Sequence, residues 1–395
     1  MKQVQSGVAG KGKKSYFIIV ALCCLAIFTP HFAQYQMSPF ADEIKQIGNM
    51  DTVQYVSAFS SMMYPAIILA MLTGILADKI GIRSVVIGGM AIMFNGSVLR
   101  LYARSYPALL VSMCLIGTGC AVANVASPKL FREYFPEKWL SVIMGIYAGA
   151  SGVGMTLGTA TAGLFSGVHG AFVFTAVLAA LTLAVWLVTP VRIIDKKEKE
   201  NVRIADGLKV VLRNRTTWLL GILLMCGLGC SMALNAVLPN ALLEQGVGSA
   251  AMYASAVTTG NLFGSLFLPA IAARLFKRIS YQISLISIFA AVGAIFAYRV
   301  SEGALLYAAL FATGFFIGGL FPVLLSLPVR APGIDPSYFG ISNGIVVTLQ
   351  MGGGVLISSF IIAPFIRIST SVYYLAIGAF LLLNCILSLL LPKYD

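Results

Sequence analysis

Charged side chains make up only 10% of this 395-residue chain, 27 Lys and Arg against 14 Asp and Glu. A soluble domain carries roughly 25%, so no water-facing globular surface can be assembled from this composition. Histidine is scarcer still, His31 and His169 being the only two. An enzyme working inside the apolar part of the chain would need paired carboxylates, a metal cluster or an activated nucleophile there. The sequence supplies none of these, so it excludes that class, and it points to no metal and no cofactor. The seven cysteines, Cys23, Cys24, Cys114, Cys120, Cys226, Cys230 and Cys385, all fall within apolar runs. Thiolate metal ligands are costly there and a disulfide would be accidental, so they read as small packing residues.

What the chain has instead is hydrophobic residues, 59% of the total. About 20 apolar residues cross a bilayer, and twelve runs of that kind occur, bounded by charged or turn-forming residues. They lie near 16–39, 52–77, 84–103, 107–129, 138–166 and 169–189, then near 216–243, 250–273, 280–299, 303–328, 337–364 and 370–391. The first is too long to be the apolar core of a signal peptide and is read as a span. The expected fold is an all-α integral membrane protein of twelve transmembrane helices in two six-helix bundles.

The net charge of +13 would raise the question of nucleic acid in a soluble protein, but in a membrane it is first a matter of topology. Twelve crossings put both termini and every second connection on one side, and 22 of the 27 Lys and Arg fall on that side. By the positive-inside rule both termini are cytoplasmic. The chain is expected in the cytoplasmic membrane of a prokaryote, in contact with lipid, without a nucleic-acid partner, and working as a monomer.

An offset of 200 residues aligns the two halves. Three of the seven first-half prolines land on prolines, Pro39 on Pro239, Pro128 on Pro328 and Pro136 on Pro336, where chance gives about 0.3 at ordinary proline frequencies. Gly119, Gly152 and Gly154 meet Gly319, Gly352 and Gly354 in the same register. Between the copies lies a basic stretch containing DKKEKE, which reads as a solvated connector. The expected division is a bundle over 1–190, a linker over 191–215 and a second bundle over 216–395. Parallel repeats of this kind suit carriers that rock one bundle against the other around a midplane site.

After the second run the sequence reads Gly74, Leu76, Ala77, Asp78, Lys79, Gly81 and Arg83 at the spacing G-x-L-A-D-[RK]-x-G-x-[RK]. This resembles the cytoplasmic loop motif of the major facilitator superfamily, and the resemblance extends over essentially the whole chain. Asp78 at a helix end can accept from a neighbouring helix N-terminus, whose dipole favours an anion. The resemblance implies that this partner is the start of helix 11, near Ser337 and Tyr338, with Arg132 close by. Gly74, Asp78, Lys79, Gly81, Arg83 and Arg132 are therefore the expected gating residues, and a loop that only fixes topology is the alternative. Helix 5 carries Gly145, Gly149, Gly152, Gly154 and Gly158, a pattern that lets helix backbones touch in lipid. The superfamily's antiporter form of this segment has a Gly-Pro pair where this chain has Ser151 and Gly152, which argues against proton antiport.

The spans are nearly empty of ionisable groups. Arg100, Lys129, Arg132 and Arg330 sit near helix ends and are expected to snorkel to the interface. The arginines and carboxylates that the resemblance would imply for nitrate, organophosphate, oxalate or many drug-proton carriers are missing. The end of helix 4, from Asn124 to Pro136, is loosely similar to cyanate-type and to haem and choline carriers. The remaining polar and aromatic groups are the binding candidates: His31, Gln34, Tyr35, Tyr64, Asn124, Tyr147, Asn235, Asn261, Phe315 and Gln350. Tyr35 pairs with Asn235, Ser61 with Asn261 and Ala150 with Gln350 in the 200-residue register. Each could instead serve only helix-to-helix hydrogen bonding. The reading is a transporter of a small neutral, zwitterionic or monoanionic organic solute, coupled to protons through His31 or to a counter-substrate if coupled at all. A solute sensor without turnover and an organic-anion antiporter remain as alternatives.

Overall fold

Backbone N–H and C=O groups find no water in hydrocarbon, so spans must be helices that satisfy themselves. The computed structural model describes residues 13–189, 204–275, 278–300, 302–325, 327 and 339–392, and every regular element among them is helical. Span 1 is α1 (Lys13–Tyr35). Span 2 is α3 (Thr52–Ser60) continued by α4 (Tyr64–Ile80). Spans 3 to 6 are α5 (Ile82–Leu101), α6 (Tyr106–Tyr134), α7 (Glu137–Ala160) and α8 (Val168–Val188). Spans 7 to 10 are α10 (Arg215–Glu244), α11 (Ala250–Leu275), α12 (Ile279–Arg299) and α13 (Ala304–Leu325); span 11 begins with α14 (Phe339–Val355) and span 12 is α15 (Thr370–Ser388). Ten of these segments are long and apolar enough by composition to cross a bilayer, the other two being span 2 and α7. Every first-half span has a second-half counterpart starting within three residues of the 200-residue offset.

Four features depart from a plain run of twelve helices. Pro39 has no N–H to offer the Tyr35 carbonyl, so span 1 stops there, turns through Ser38–Phe40 and starts a short surface helix, α2 (Ala41–Gly48). Pro65 likewise interrupts span 2, which passes through a 3-10 turn at Ser61–Met63. Span 11 widens into a π segment at Leu356–Ile362 and then tightens into a 3-10 turn at Ala363–Arg367. Finally, the central stretch is not all solvated coil. Its Ile204–Arg213 part forms α9, with Val211 fully buried and the Leu212 carbonyl accepting from Trp218 Nε1 at 2.8 Å. The rest of that stretch, with Lys196, Lys197 and Lys199, lies outside the described residues.

Helices touch where side chains are absent. Gly260 and Gly264 on α11 and Gly314 and Gly318 on α13 interlock, so that a Cβ on Gly264 would stand 1.9 Å from the Phe315 carbonyl oxygen and one on Gly314 1.9 Å from that of Val257. Small residues four apart on both partners are the lipid-phase device for close packing. Gly154 and Gly158 of α7 lie in the same way against the Phe28 and Phe32 carbonyls of α1. The packing role expected of the helix 5 glycines is therefore seen at those two positions. Across the halves, α7 packs on α11 and α4 on α14.

Candidate functional site

With an even number of crossings, the start of α1 and the end of α15 share one side of the molecule, here the termini side; the ends of spans 1, 7 and 11 and the start of span 2 define the far side. Four side-chain hydrogen bonds join the halves among the described residues, and all lie in the far half. Ser38 donates to the Asn235 carbonyl, Gln34 Nε2 reaches Met232 Sδ at 3.7 Å, the Ser60 and Ser358 hydroxyls meet at 2.9 Å, and Arg367 pairs with Asp51. The hydrophobic core is continuous between the halves at this level, through Tyr35, Phe59, Met232 and Val237. A separate apolar cluster, with Leu220, Leu224, Ile283, Leu324 and Val346, belongs to the second half alone. The two halves are therefore in direct contact on the far side.

Several binding candidates sit at or near that seam. Gln34 is fully buried, with Nε2 donating to the Phe59 carbonyl at 2.8 Å and Oε1 unpaired among the described residues. Tyr35, 1% exposed, meets the Phe59 ring edge-on at 5.6 Å. Asn235, 6% exposed, turns its amide back onto the Ser231 carbonyl at 2.7 Å. Further along the bundle, Tyr147 donates to Asn124 Oδ1 at 3.2 Å, joining α7 to an otherwise exposed amide on α6. His31 Nδ1 lies 2.9 Å from the Ile27 carbonyl. A carbonyl only accepts, so Nδ1 carries the proton and Nε2 is the titrating atom. Asn261 is half-buried, its own carbonyl covered by Gly318, and Phe315 stacks on Phe311 and meets Phe316 edge-on. Tyr64 is half-buried and Gln350 buried. Gln34 and Tyr35 share Phe59, Asn124 and Tyr147 share a bond, and the remaining candidates are dispersed. Two cavities lie away from them, about 440 Å³ against Tyr16, Phe135 and Trp139 and about 480 Å³ against Arg100, Arg104 and His169.

The loop motif is partly visible. Gly81 has φ +88° and ψ 142°, a backbone that any Cβ would strain, and it both ends α4 and starts α5. Arg83 Nη2 donates to the Leu187 carbonyl at 2.9 Å, so it anchors α5 to the last turn of α8, where a cation complements the helix dipole. Arg132 is exposed on the last turn of α6. The side chains of Asp78 and Lys79, the surroundings of Gly74, and the expected partners Ser337 and Tyr338 lie outside the described residues, as does Arg330.

Arg100 does not snorkel. It is 1% exposed, its Nη1 donates to the Ala33 carbonyl at 2.7 Å, and its guanidinium lies 4.0 Å from the centre of the Phe172 ring. The break after Tyr35 leaves the Ala33 carbonyl without a helical donor, and Arg100 satisfies it. Spacing held the signal for this burial. Val86, Met90, Met93, Ser97 and Arg100 are all buried, and at intervals of three and four they form one stripe. Ser60 and Ser358 gave no such signal, since an isolated serine in an apolar run is common.

The model of the Major Facilitator Superfamily matches residues 17–358. The chain belongs to the Major Facilitator Superfamily. It is 26% identical over 203 residues to the 4-hydroxybenzoate transporter PcaK of Pseudomonas putida, covering 49% of this chain and 44% of the relative. It is 24% identical over 187 residues to the solute carrier family 2 facilitated glucose transporter member 12 of Danio rerio, covering 47% and 31%. The chain thus spans less than half the length of these relatives. The crystal structure of a D-xylose-proton symporter superposes with a TM-score of 0.75 over 94% of this chain and 97% of that one, at 14% identity, which establishes the shared twelve-helix fold.

Proposed function

We propose that this protein carries a small organic solute across the cytoplasmic membrane by rocking residues 1–190 against residues 216–395, with 191–215 as the connector and both termini in the cytoplasm. The observation that carries the reading is the set of polar bonds that ties the two halves together at the far side. These bonds involve single side chains, whereas the close glycine contacts of α11 with α13 and of α7 with α1 lie within each half, so the far side can part while those contacts hold. A fold that can be opened at one end without unpacking its halves suits alternating access. The asymmetry of Lys and Arg supports the cytoplasmic assignment of the termini side.

The spans offer almost no charge to neutralise a substrate, which favours a neutral, zwitterionic or singly anionic solute. A hydroxybenzoate carrier and a glucose carrier among the relatives bracket that range. The test is counterflow in proteoliposomes with aromatic monocarboxylates, hexoses and nucleosides, with and without a pH gradient. Saturable exchange of one class is expected. Saturable binding of a class without exchange would replace the carrier with a sensor.

A further inference from the structure

We propose that the far-side cavity between α2, α5 and α8 is a second binding site, outside the seam, for an oxyanion carried on an apolar body. The cavity holds about 480 Å³ and is lined by Arg100, Arg104 and His169 among Ile44, Ile47, Leu109 and Phe172. That volume suits a small organic molecule rather than a bare ion. No lining residue is acidic. The neighbouring carboxylates are already engaged, Glu43 with the Val168 N–H at 3.0 Å and 3.1 Å and Asp42 with Lys45 at 2.6 Å.

Arg100 supplies the independent observation. Capping Ala33 uses only Nη1, and Nε and Nη2 of this buried guanidinium have no partner among the described residues. A buried cation without a counter-charge is costly, and Nε together with Nη2 is the edge of arginine that receives an oxyanion in a two-pronged hydrogen bond. Phe172 screens one face of the guanidinium, while Ile44, Ile47 and Leu109 offer the apolar wall a hydrocarbon body needs. Arg104 and His169, both exposed, stand where such an anion would enter from the far side.

The shared chemistry, an oxyanion head on a hydrocarbon, has two sources, a soluble carboxylate and an anionic lipid of the far leaflet. Purified full-length protein is placed in nanodiscs of neutral phosphatidylcholine and its melting midpoint is followed by circular dichroism during titration with sodium octanoate at constant ionic strength. Octanol is the uncharged control. A second arm exchanges part of the neutral lipid for phosphatidylglycerol without octanoate. A saturable rise in either arm is expected, because a ligand of the native state raises its apparent stability. Arg100→Gln should weaken binding at least tenfold, the loss of a charge-assisted bond pair, and the exposed Arg104→Gln about threefold. Because Arg100→Gln also uncaps α1, Ile47→Trp is the second variant. It fills the cavity rim without touching charge and should abolish saturation. An equal response to octanol, no response in both arms, or a response unchanged in Ile47→Trp overturns the site. Binding is read without transport, so failure here leaves the carrier reading intact.

Discussion

Arg367, in the turn that ends span 11, pairs with the carboxylate of Asp51, the residue that starts span 2. The two carboxylate oxygens divide the work: Oδ1 accepts from the Gln54 N–H at 2.8 Å in a capping box, and Oδ2 takes Arg367. Asp51→Asn can keep the cap and lose the ion pair.

The first prediction follows from that division. Both partners are partly exposed, 62% for the Arg367 side chain and 44% for that of Asp51, so the pair is worth about 0.2–1 kcal/mol. Asp51→Asn and Arg367→Gln should each raise the population open at the far side by up to about fivefold. A cysteine at position 235, in a cysteine-free background that still transports, reports this through its labelling rate with an impermeant thiol reagent. An unchanged rate in both variants would show that the pair is not a gate.

Packing between α11 and α13 gives the second. A Cβ on Gly318 would lie 2.2 Å from the Asn261 carbonyl oxygen, whereas nothing lies within 4 Å of one on Gly145. Gly318→Ala should destabilise the protein by about 1–3 kcal/mol, the usual cost of overpacking, and Gly145→Ala should leave the melting midpoint nearly unchanged. Equal midpoints for the two variants would mean the helices separate easily.

Asp78 is the third. If its carboxylate latches the termini side, Asp78→Asn should be expressed normally, transport more slowly and rest more often in the state open to the termini side. Wild-type uptake by this variant would reduce the loop motif to a topology signal.

The fourth concerns pH. His31 holds its Nδ1 proton against the Ile27 carbonyl, which leaves Nε2 as the atom that would exchange one. His31→Gln cannot titrate and should flatten any pH dependence of uptake while keeping some substrate binding. A full pH profile in that variant would move proton coupling elsewhere, and Asp42 and Glu43 are the next groups to substitute.

The fold was legible because a bilayer imposes length, polarity and charge asymmetry on every span, and these are properties of runs of residues. The repeat was legible because prolines and glycines are placed by backbone geometry. The breaks were harder. Pro65 and Pro39 mark theirs, but the π segment at Leu356–Ile362 has no residue that demands it. Site residues were less legible than spans, since a polar group in a helix points by phase. Gln34 and Asn235 were found as polar residues, yet only the three-dimensional packing brings Gln34 to Met232 and the Asn235 carbonyl to Ser38. Arg100 was misplaced by its position in the run, although the buried stripe it continues would have corrected that.

The π segment has one more effect. Spans 5 and 11 both end in a 3-10 turn, at Thr161–Leu164 and Ala363–Arg367, but among the described residues span 11 alone places a π segment before it, at Leu356–Ile362. The π segment contains Ser358, whose hydroxyl meets that of Ser60, and the equivalent position in span 5 is Gly158, which has no hydroxyl to offer. The repeated halves therefore contribute unequally to the seam, and exchanging them would not regenerate it. In the rocking proposed above, the two halves would bring unlike surfaces to the far side, and the π segment of span 11 is where they differ.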